Sequence, residues 1–291
     1  MAEILTDPDG LADAMLSSTP PVVLDVRWQL GDPDGYQHYR AGHIPGAVFV
    51  DLDAELAAAP SPELGRHPLP AADDLQTAAR RWGIDDGVPV VVYDDIGNLA
   101  AARAWWLLKW GGISDVRMLD GGLGAWKSAG FRTSQGDTEP RSGAVTLTAG
   151  RLPVATIDQL DIGARSDGNY VVLDARAAER FRGEVEPVDP RAGHIPGALS
   201  APTSENLTGD GTFRSVAELR VRFATLGIND GDNPVVYCGS GVNAAHQIAA
   251  LQLAGLRGTL YPGSWSQWSA DPTRPLATGA DENRSNEGEF A

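Results

Sequence analysis

Short apolar runs rich in valine alternate along the chain with longer stretches of helical periodicity. The runs VVLDVR (22–27) and VPVVVYDD (88–95) are typical of strands that are covered on both faces. The stretch NLAAARAWWLLKW (98–110) predicts a helix packed in the core, which Gly111 and Gly112 end. Because strands separated by helices form parallel sheets, the pattern predicts an α/β fold whose ligands lie at the carboxyl ends of strands.

The chain contains this pattern twice. Four segments return in the same order and with nearly constant spacing, and one of them, AGHIPGA, is identical over seven residues. The four pairs are 22–28 with 171–177, 41–47 with 192–198, 82–95 with 226–239, and 120–130 with 261–271. Such a repeat indicates two tandem domains of one fold, each a parallel sheet flanked by helices on both faces.

A polar stretch rich in Gly, Ser and Thr separates the two copies. Its composition suits an extended linker, and the polar, charged end of the chain suits a loose tail. We therefore expect a first domain over residues 1–135, a linker over 136–155, a second domain over 156–278 and a tail over 279–291.

Composition narrows the partners and the compartment. A net charge of −16 over 291 residues disfavours nucleic acid and anionic membranes as partners. A single cysteine cannot form an internal disulfide, which fits a reducing compartment. The N-terminus lacks the basic and apolar regions of a signal peptide, and no apolar run approaches the roughly 18 residues of a membrane span. We expect a cytoplasmic protein.

The cysteine, Cys238, stands where a predicted strand ends, shortly before a helix that begins near Asn243. Gly239 and Gly241 allow backbone conformations closed to other residues. If the loop curls round its first residue, N–H groups and the positive helix end favour a thiolate that can carry a second sulfur as a persulfide. The first copy has Asp94 at this place, so only one copy holds a thiol. We therefore favour a reactive cysteine over an inert buried one.

Other cysteine chemistries fit this loop less well. A phosphatase of the C-x5-R kind needs an arginine where Ala244 stands. A thiol–disulfide oxidoreductase needs a second cysteine. A cysteine protease needs a nearby histidine, and we expect His246 to face away from the loop.

Several motifs together resemble a known family, the two-domain rhodaneses, which are thiosulfate and 3-mercaptopyruvate sulfurtransferases. They are the tandem repeat, the paired AGHIPGA motifs, CGSGVNA (238–244) and PGSWSQW (262–268), and the resemblance covers about residues 10–275. In that family the N-terminal domain is inactive and the C-terminal cysteine carries the transferred sulfur. The resemblance implies that the residues after Cys238 hold the sulfur donor; these are Gly239, Ser240, Gly241, Val242 and Asn243.

Within this family the sequence of the cysteine loop correlates with the type of sulfur donor. Thiosulfate enzymes typically have a basic CRKGVT loop and mercaptopyruvate enzymes have CGSGVT, so Gly239 and Ser240 imply the mercaptopyruvate type. A dianion such as thiosulfate needs adjacent cations, which this loop lacks. Asn243 stands where threonine is usual. Because asparagine can also cap a helix and donate a hydrogen bond, we expect altered tuning of the loop with the chemistry retained.

The carboxylate of mercaptopyruvate needs a cationic partner, and arginine offers two parallel N–H donors. The family's DAR…RF motif is present as DARAAERF (174–181), which makes Arg180 the candidate. An ion pair between Arg180 and Glu179 or a neighbouring carboxylate is the structural alternative. The family's second arginine finds its nearest match here in Arg191.

The family also implies a Ser–His–Asp arrangement that polarises the carbonyl of the donor. Matching motifs gives Ser240, His43 and Asp32. Because GHIPG also occurs at His194, where no reaction is expected, a structural turn with the histidine bonded to the backbone explains the motif equally well.

These expectations describe a sulfurtransferase that works through a persulfide on Cys238. The sulfur would come from 3-mercaptopyruvate or thiosulfate and pass to a thiol, cyanide or a thioredoxin-like acceptor. No ligand cluster or dinucleotide fingerprint indicates a metal or another cofactor. The alternative is a persulfide carrier or sensor that hands sulfur to a protein partner.

Overall fold

The computed structural model describes residues 3–163 and 171–280, and the chain divides into two compact units. The first unit comprises residues up to Ala58, Leu69–Leu152 and Leu207–Arg214, and the second comprises Ala59–Pro68, Pro153–Asn206 and the residues from Ser215 onward. Each unit therefore includes a short segment from the other half of the chain.

The first unit is a five-stranded parallel sheet flanked by helices, in the strand order β1-β5-β4-β2-β3. Its strands are β1 (Leu5–Thr6), β2 (Val22–Asp25), β3 (Val48–Phe49), β4 (Val90–Tyr93) and β5 (Val116–Leu119). Its helices are α1 (Pro8–Met15), α2 (Gly35–Ala41), α3 (Leu52–Glu55), α4 (Ala72–Arg81), α5 (Ala101–Trp110) and α6 (Gly122–Ser128).

The second unit has a four-stranded parallel sheet in the order β7-β6-β8-β9, which repeats the order β3-β2-β4-β5. Its strands are β6 (Val172–Asp174), β7 (Leu199–Ser200), β8 (Val235–Tyr237) and β9 (Thr259–Leu260). Its helices are α7 (Ile157–Gly163), α8 (Ala178–Phe181), α9 (Val216–Thr225), α10 (Val242–Leu253) and α11 (Ser264–Ala270), with a 3-10 turn at Thr203–Asn206. The predicted pair of α/β domains is confirmed.

The central strands carry the cores of the two units. All four residues of β4 and all three of β8 are buried, as a valine-rich strand covered on both faces requires. The helix predicted over 98–110 begins only at Ala101, because the residues after β4 wrap round the side chain of Asp94. Trp105 and Trp106 are buried core residues.

The stretch predicted as a linker is mostly bonded to the first unit. Backbone N–H groups of Gly143, Val145 and Thr148 donate to carbonyls of that unit over 2.7–3.1 Å. The second unit takes up the chain at Pro153. Most of the predicted tail, residues 281–291, lies outside the described residues. Within the described residues, no helix combines the length and apolarity needed to cross a bilayer.

Candidate active site

Cys238 follows β8 directly, at the carboxyl end of the central strand of the second unit. Its N–H donates to Oγ of Ser264 (3.1 Å), and its carbonyl accepts the N–H of Trp265 (3.0 Å). Ser264 has φ +54°, a conformation that costs a non-glycine residue about 1–2 kcal/mol. The Ser264 hydroxyl also donates to the carbonyl of Tyr261 over 2.9 Å. The two hydrogen bonds of this hydroxyl hold Cys238 against the start of α11 and stabilise the conformation of Ser264.

The loop after Cys238 curls back to the sulfur. The N–H of Gly241 donates to Sγ of Cys238 over 3.1 Å. Gly241 has φ +81°, and a Cβ there would lie 2.6 Å from the carbonyl oxygen of Pro262, so no other residue fits. Helix α10 begins at Val242, one residue earlier than predicted, and its twelve residues direct their positive end at the loop. Both effects stabilise negative charge on the sulfur, whose residue is only 3% exposed.

Two guanidinium groups lie over Gly239, beside the cysteine. A Cβ built on Gly239 would be 3.0 Å from one terminal nitrogen of Arg66 and 3.5 Å from one of Arg180. The absence of a side chain at Gly239 therefore leaves the space that these arginines border. Arg180 was predicted from its motif. Arg66 was not predicted, and it lies in the 59–68 segment, which belongs to the second unit.

Both arginines are paired with buried carboxylates. Arg180 donates to Glu186 over 2.7 Å and to Asp189 over 3.4 Å, and Arg66 donates to the other oxygen of Asp189. The ion pair expected as the structural alternative for Arg180 is therefore present, with the neighbouring carboxylate of Glu186 as the partner. Burial raises the pKa of Asp189, and the Arg66 guanidinium opposes that rise. Burial also acts on Glu186, but the N–H of Asp189 and the Arg180 guanidinium bring its pKa below the ordinary value.

Ser240 faces a histidine that the sequence analysis did not select. Its Oγ lies 2.7 Å from Nδ1 of His67, and both residues are buried, at 6% and 8% exposure. At this distance the hydroxyl and the imidazole are hydrogen-bonded, so a proton can pass between them. The pair can therefore polarise or protonate an oxygen of a bound molecule.

In the first unit, His43 and Asp32 bond to other residues rather than to each other. His43 is buried, stacks on the ring of Tyr39 and donates from Nδ1 to the Tyr39 carbonyl over 3.0 Å. Asp32 lies 3.0 Å from Nε2 of His38.

The two GHIPG motifs have the same structural role. His194 donates from Nδ1 to the carbonyl of Phe181 (2.8 Å), as His43 does in the first unit. The N–H of Ile44 donates to the Tyr93 hydroxyl, and that of Ile195 donates to the Tyr237 hydroxyl. The motif is thus a turn that ties the chain to the central strand of each sheet, which was the structural alternative.

Arg191 does not lie among the residues around the sulfur. Its three guanidinium nitrogens donate to backbone carbonyls at the end of α11 and just beyond it; these belong to Trp268, Ser269, Asp271 and Arg274. The four carbonyls take up the guanidinium, so its role is to fix the end of α11.

Asn243 does not cap α10, although an asparagine could do so. The N-cap residue is Gly241, and Asn243 is the second residue of α10. Val242, the first residue of the helix, is buried beside the loop. His246 faces away from the loop as expected, with Nδ1 2.7 Å from the hydroxyl of Thr203.

The first unit holds a carboxylate where the second holds the thiol. Asp94 follows β4, and its two oxygens accept four backbone N–H groups over 2.7–3.0 Å; these belong to Ile96, Asn98, Ala100 and Ala101. Burial raises the pKa of Asp94, and these N–H groups oppose the rise. The loop after the central strand is therefore an anion-binding loop in this unit, filled by its own side chain.

Within residues 3–163 and 171–280, no group of three or more His, Cys, Asp or Glu side chains is placed to hold a metal ion. The side chains round Cys238 instead offer a thiol, a hydroxyl–imidazole pair and two guanidinium groups. This set suits nucleophilic attack on an anionic donor.

Comparison with known proteins identifies the fold of both units. A model of the Rhodanese-like domain matches residues 8–129 and, a second time, residues 160–271. The chain belongs to the rhodanese family. The resemblance inferred from the repeated motifs is thereby confirmed.

Relatives match along almost the whole chain. A Mycobacterium tuberculosis protein named as a thiosulfate sulfurtransferase, SseB, is 47% identical over 277 residues, covering 95% of this chain and 98% of its own. A Pseudomonas aeruginosa protein named as a 3-mercaptopyruvate sulfurtransferase is 47% identical over 273 residues, covering 91% and 95%. The crystal structure of the 3-mercaptopyruvate enzyme SseA from Escherichia coli superimposes with a TM-score of 0.80 at 32% identity, covering 91% and 99%. The predicted enzyme class, sulfurtransferase, is confirmed.

Proposed function

We propose that this sulfurtransferase moves a sulfane sulfur from 3-mercaptopyruvate to a thiol acceptor through a persulfide on Cys238. The observation that carries the proposal is the N–H of Gly241 directed at Sγ of Cys238 over 3.1 Å, at the positive end of α10. These groups stabilise the terminal negative charge that a persulfide on this sulfur carries.

The first step forms one bond and breaks one. The Cys238 thiolate attacks the sulfur of the donor, and the carbon–sulfur bond breaks with its electron pair passing to carbon. The product is the enolate of pyruvate, which takes up one proton to become pyruvate. The Ser240–His67 pair, buried beside the cysteine, supplies a hydrogen bond or that proton to the developing oxyanion.

The second step returns the enzyme to its starting state. A thiolate acceptor attacks the outer sulfur of the persulfide, the sulfur–sulfur bond breaks, and its electron pair returns to Sγ of Cys238. A thiol, cyanide or a thioredoxin-like protein can each serve as this nucleophile. No net oxidant or reductant is needed for the transfer itself.

Arg180 and Arg66 bind the carboxylate of the donor. Their guanidinium groups border the space over Gly239, and a planar carboxylate accepts paired N–H bonds from such groups. Arg66 thereby takes the place that the sequence analysis gave to Arg191. The donor names of the two relatives at 47% identity differ, so the choice of mercaptopyruvate rests on this chain's own residues.

The decisive experiment follows the mass of the protein and its turnover. Incubation with mercaptopyruvate alone should add one sulfur atom to the wild-type chain, and a small thiol should remove it. Cys238→Ser should show neither the added mass nor any turnover, with an unchanged thermal unfolding curve. Sulfur transfer by Cys238→Ser would overturn the mechanism.

Steady-state assays separate an enzyme from a carrier. With excess mercaptopyruvate and a small thiol, a freely acting enzyme turns over many times. A dedicated carrier would load one sulfur per chain and stop, which would overturn the proposed enzyme activity. Comparing kcat/KM for mercaptopyruvate and thiosulfate then tests the donor.

A further inference from the structure

A cluster of three guanidinium groups and three carboxylates adjoins the cysteine loop in the second unit. Its ion pairs extend from Arg176–Asp174 (2.6 Å) through Arg176–Glu186 (3.3 Å) and Arg180–Glu186 (2.7 Å) to Asp189, which contacts both Arg180 and Arg66. The formal charges of the six groups cancel. The two arginines over Gly239 therefore present no surplus positive charge to an incoming donor.

The two carboxylates beside Arg180 are held differently. Glu186 accepts the backbone N–H groups of Val188 and Asp189 in addition to the Arg180 guanidinium, and its pKa is lowered. It is a fixed counterion. Asp189 is 97% buried at its side chain, contacts the two guanidinium groups that border the donor space, and has a raised pKa because burial disfavours its charged form.

We infer that Asp189 determines the specificity for the donor, an inference that rests on the proposed function. Its carboxylate pairs with Arg66 and Arg180 and thereby favours monoanionic over dianionic donors. A donor carboxylate shares or replaces the single charge of Asp189 on these two arginines. Mercaptopyruvate carries one such charge and thiosulfate carries two. With Asp189 in place, the second charge of a dianion has no counterion in the cluster.

Removing this charge should benefit a dianion more than a monoanion. Coulombic interaction scales with the charge of the ligand, so Asp189→Asn relieves twice as much repulsion for thiosulfate as for mercaptopyruvate. We expect the ratio of kcat/KM for thiosulfate to that for mercaptopyruvate to rise about tenfold, a change of about 1.4 kcal/mol.

The control variant is Glu184→Gln, which removes a carboxylate from the same segment. Glu184 is exposed and pairs with Arg182, outside the cluster. The donor ratio should stay at the wild-type value in Glu184→Gln and in Asp189→Glu, which keeps the charge. An unchanged or lower ratio in Asp189→Asn, measured on protein with a wild-type unfolding curve, would overturn the inference.

If Asp189→Asn does not fold, a measurement on the wild-type protein tests the preference for monoanions instead. Pyruvate, a monoanion, and sulfate, a dianion, are tested for slowing the alkylation of Cys238 by iodoacetamide. Stronger protection by pyruvate at equal concentration supports the inference, and stronger protection by sulfate refutes it. Failure of the proposed function is distinguishable, since the wild-type protein would then transfer no sulfur from either donor.

Discussion

The hydroxyl of Ser240 lies 2.7 Å from Nδ1 of His67, although 173 residues separate them in the chain. The segment that contains His67 belongs to the second unit, together with the cysteine loop. Residues from both halves of the sequence thus complete one set of reactive groups.

The Ser240–His67 pair should matter for one donor and not for another. Ser240→Ala and His67→Gln should each lower kcat with mercaptopyruvate about 100-fold, because its departing enolate needs a hydrogen bond or a proton. The double variant should be no worse than either single variant, since the two residues act as one unit. With thiosulfate, sulfite leaves without a proton, so kcat should change little. Equal losses with both donors would contradict this role. The exposed His38→Gln is the control.

Gly241 and Gly231 form a matched pair for testing the cysteine loop. Both have positive φ, at +81° and +99°, but a Cβ would strike the Pro262 carbonyl at Gly241 and would meet open space at Gly231. Both alanine variants should lose about 1–2 kcal/mol of stability from the backbone conformation. Only Gly241→Ala should also lose the persulfide, because its N–H must move away from the sulfur. Mass spectrometry after donor treatment, beside urea unfolding, measures both effects. Persulfide formation at the wild-type level in Gly241→Ala would show that this N–H is dispensable.

Substitutions of Arg180 and Arg191 should have different effects, because we expect Arg180 to bind the donor and Arg191 to stabilise the fold. Arg180→Ala should lower kcat/KM for mercaptopyruvate about 10- to 100-fold, as expected for a lost charge-assisted hydrogen bond. Arg191→Ala should leave kcat/KM within about twofold, but lower the melting temperature by several degrees, since backbone carbonyls near the end of α11 lose their donor. Kinetics and thermal unfolding of both variants check this pair. A kinetic defect in Arg191→Ala as large as that in Arg180→Ala would return Arg191 to the donor site.

The buried carboxyl of Asp25 should make stability depend on pH. Burial raises its pKa from 3.8 to about 6, against the opposing effects of Arg27 and the Tyr93 hydroxyl. Between these values the folded protein binds more protons than the unfolded chain, so this contribution to stability falls as the pH rises to about 6 and is level above it.

Asp25→Asn removes that dependence. The free energy of unfolding of the wild type, minus that of the variant, should be about 2 kcal/mol larger at pH 4.5 than at pH 7. Urea titrations of both proteins at the two pH values give this difference. A value independent of pH would show that Asp25 keeps an ordinary pKa in the folded state.

The fold and the candidate nucleophile could both be selected from the sequence because both depend on local pattern. Backbone structure formed by neighbouring residues can be predicted from local sequence. Here it is indicated by the valine-rich strands, the helix boundaries and the two AGHIPGA segments. Cys238 could be selected because the first copy has Asp94 in its place. The repeat thus distinguishes positions shared for structural reasons from a position that differs between the copies.

His67 and Arg66 could not be selected by the same means. They reach the cysteine loop through tertiary packing of the 59–68 segment, and neither belongs to a repeated motif. His43 was chosen because it lies in a strong motif, but that motif occurs in both copies and is therefore scaffold.

The four hydrogen bonds to the Asp94 side chain also limit how the first unit could accommodate a thiol. Four amides now bind the two oxygens of the carboxylate, and in Asp94→Cys they would face a single sulfur. The loop that carries them is also three residues longer than the loop of the second unit. A loop like that of the second unit would thus require a rebuilt main chain as well as one exchanged side chain, which a point mutation does not supply.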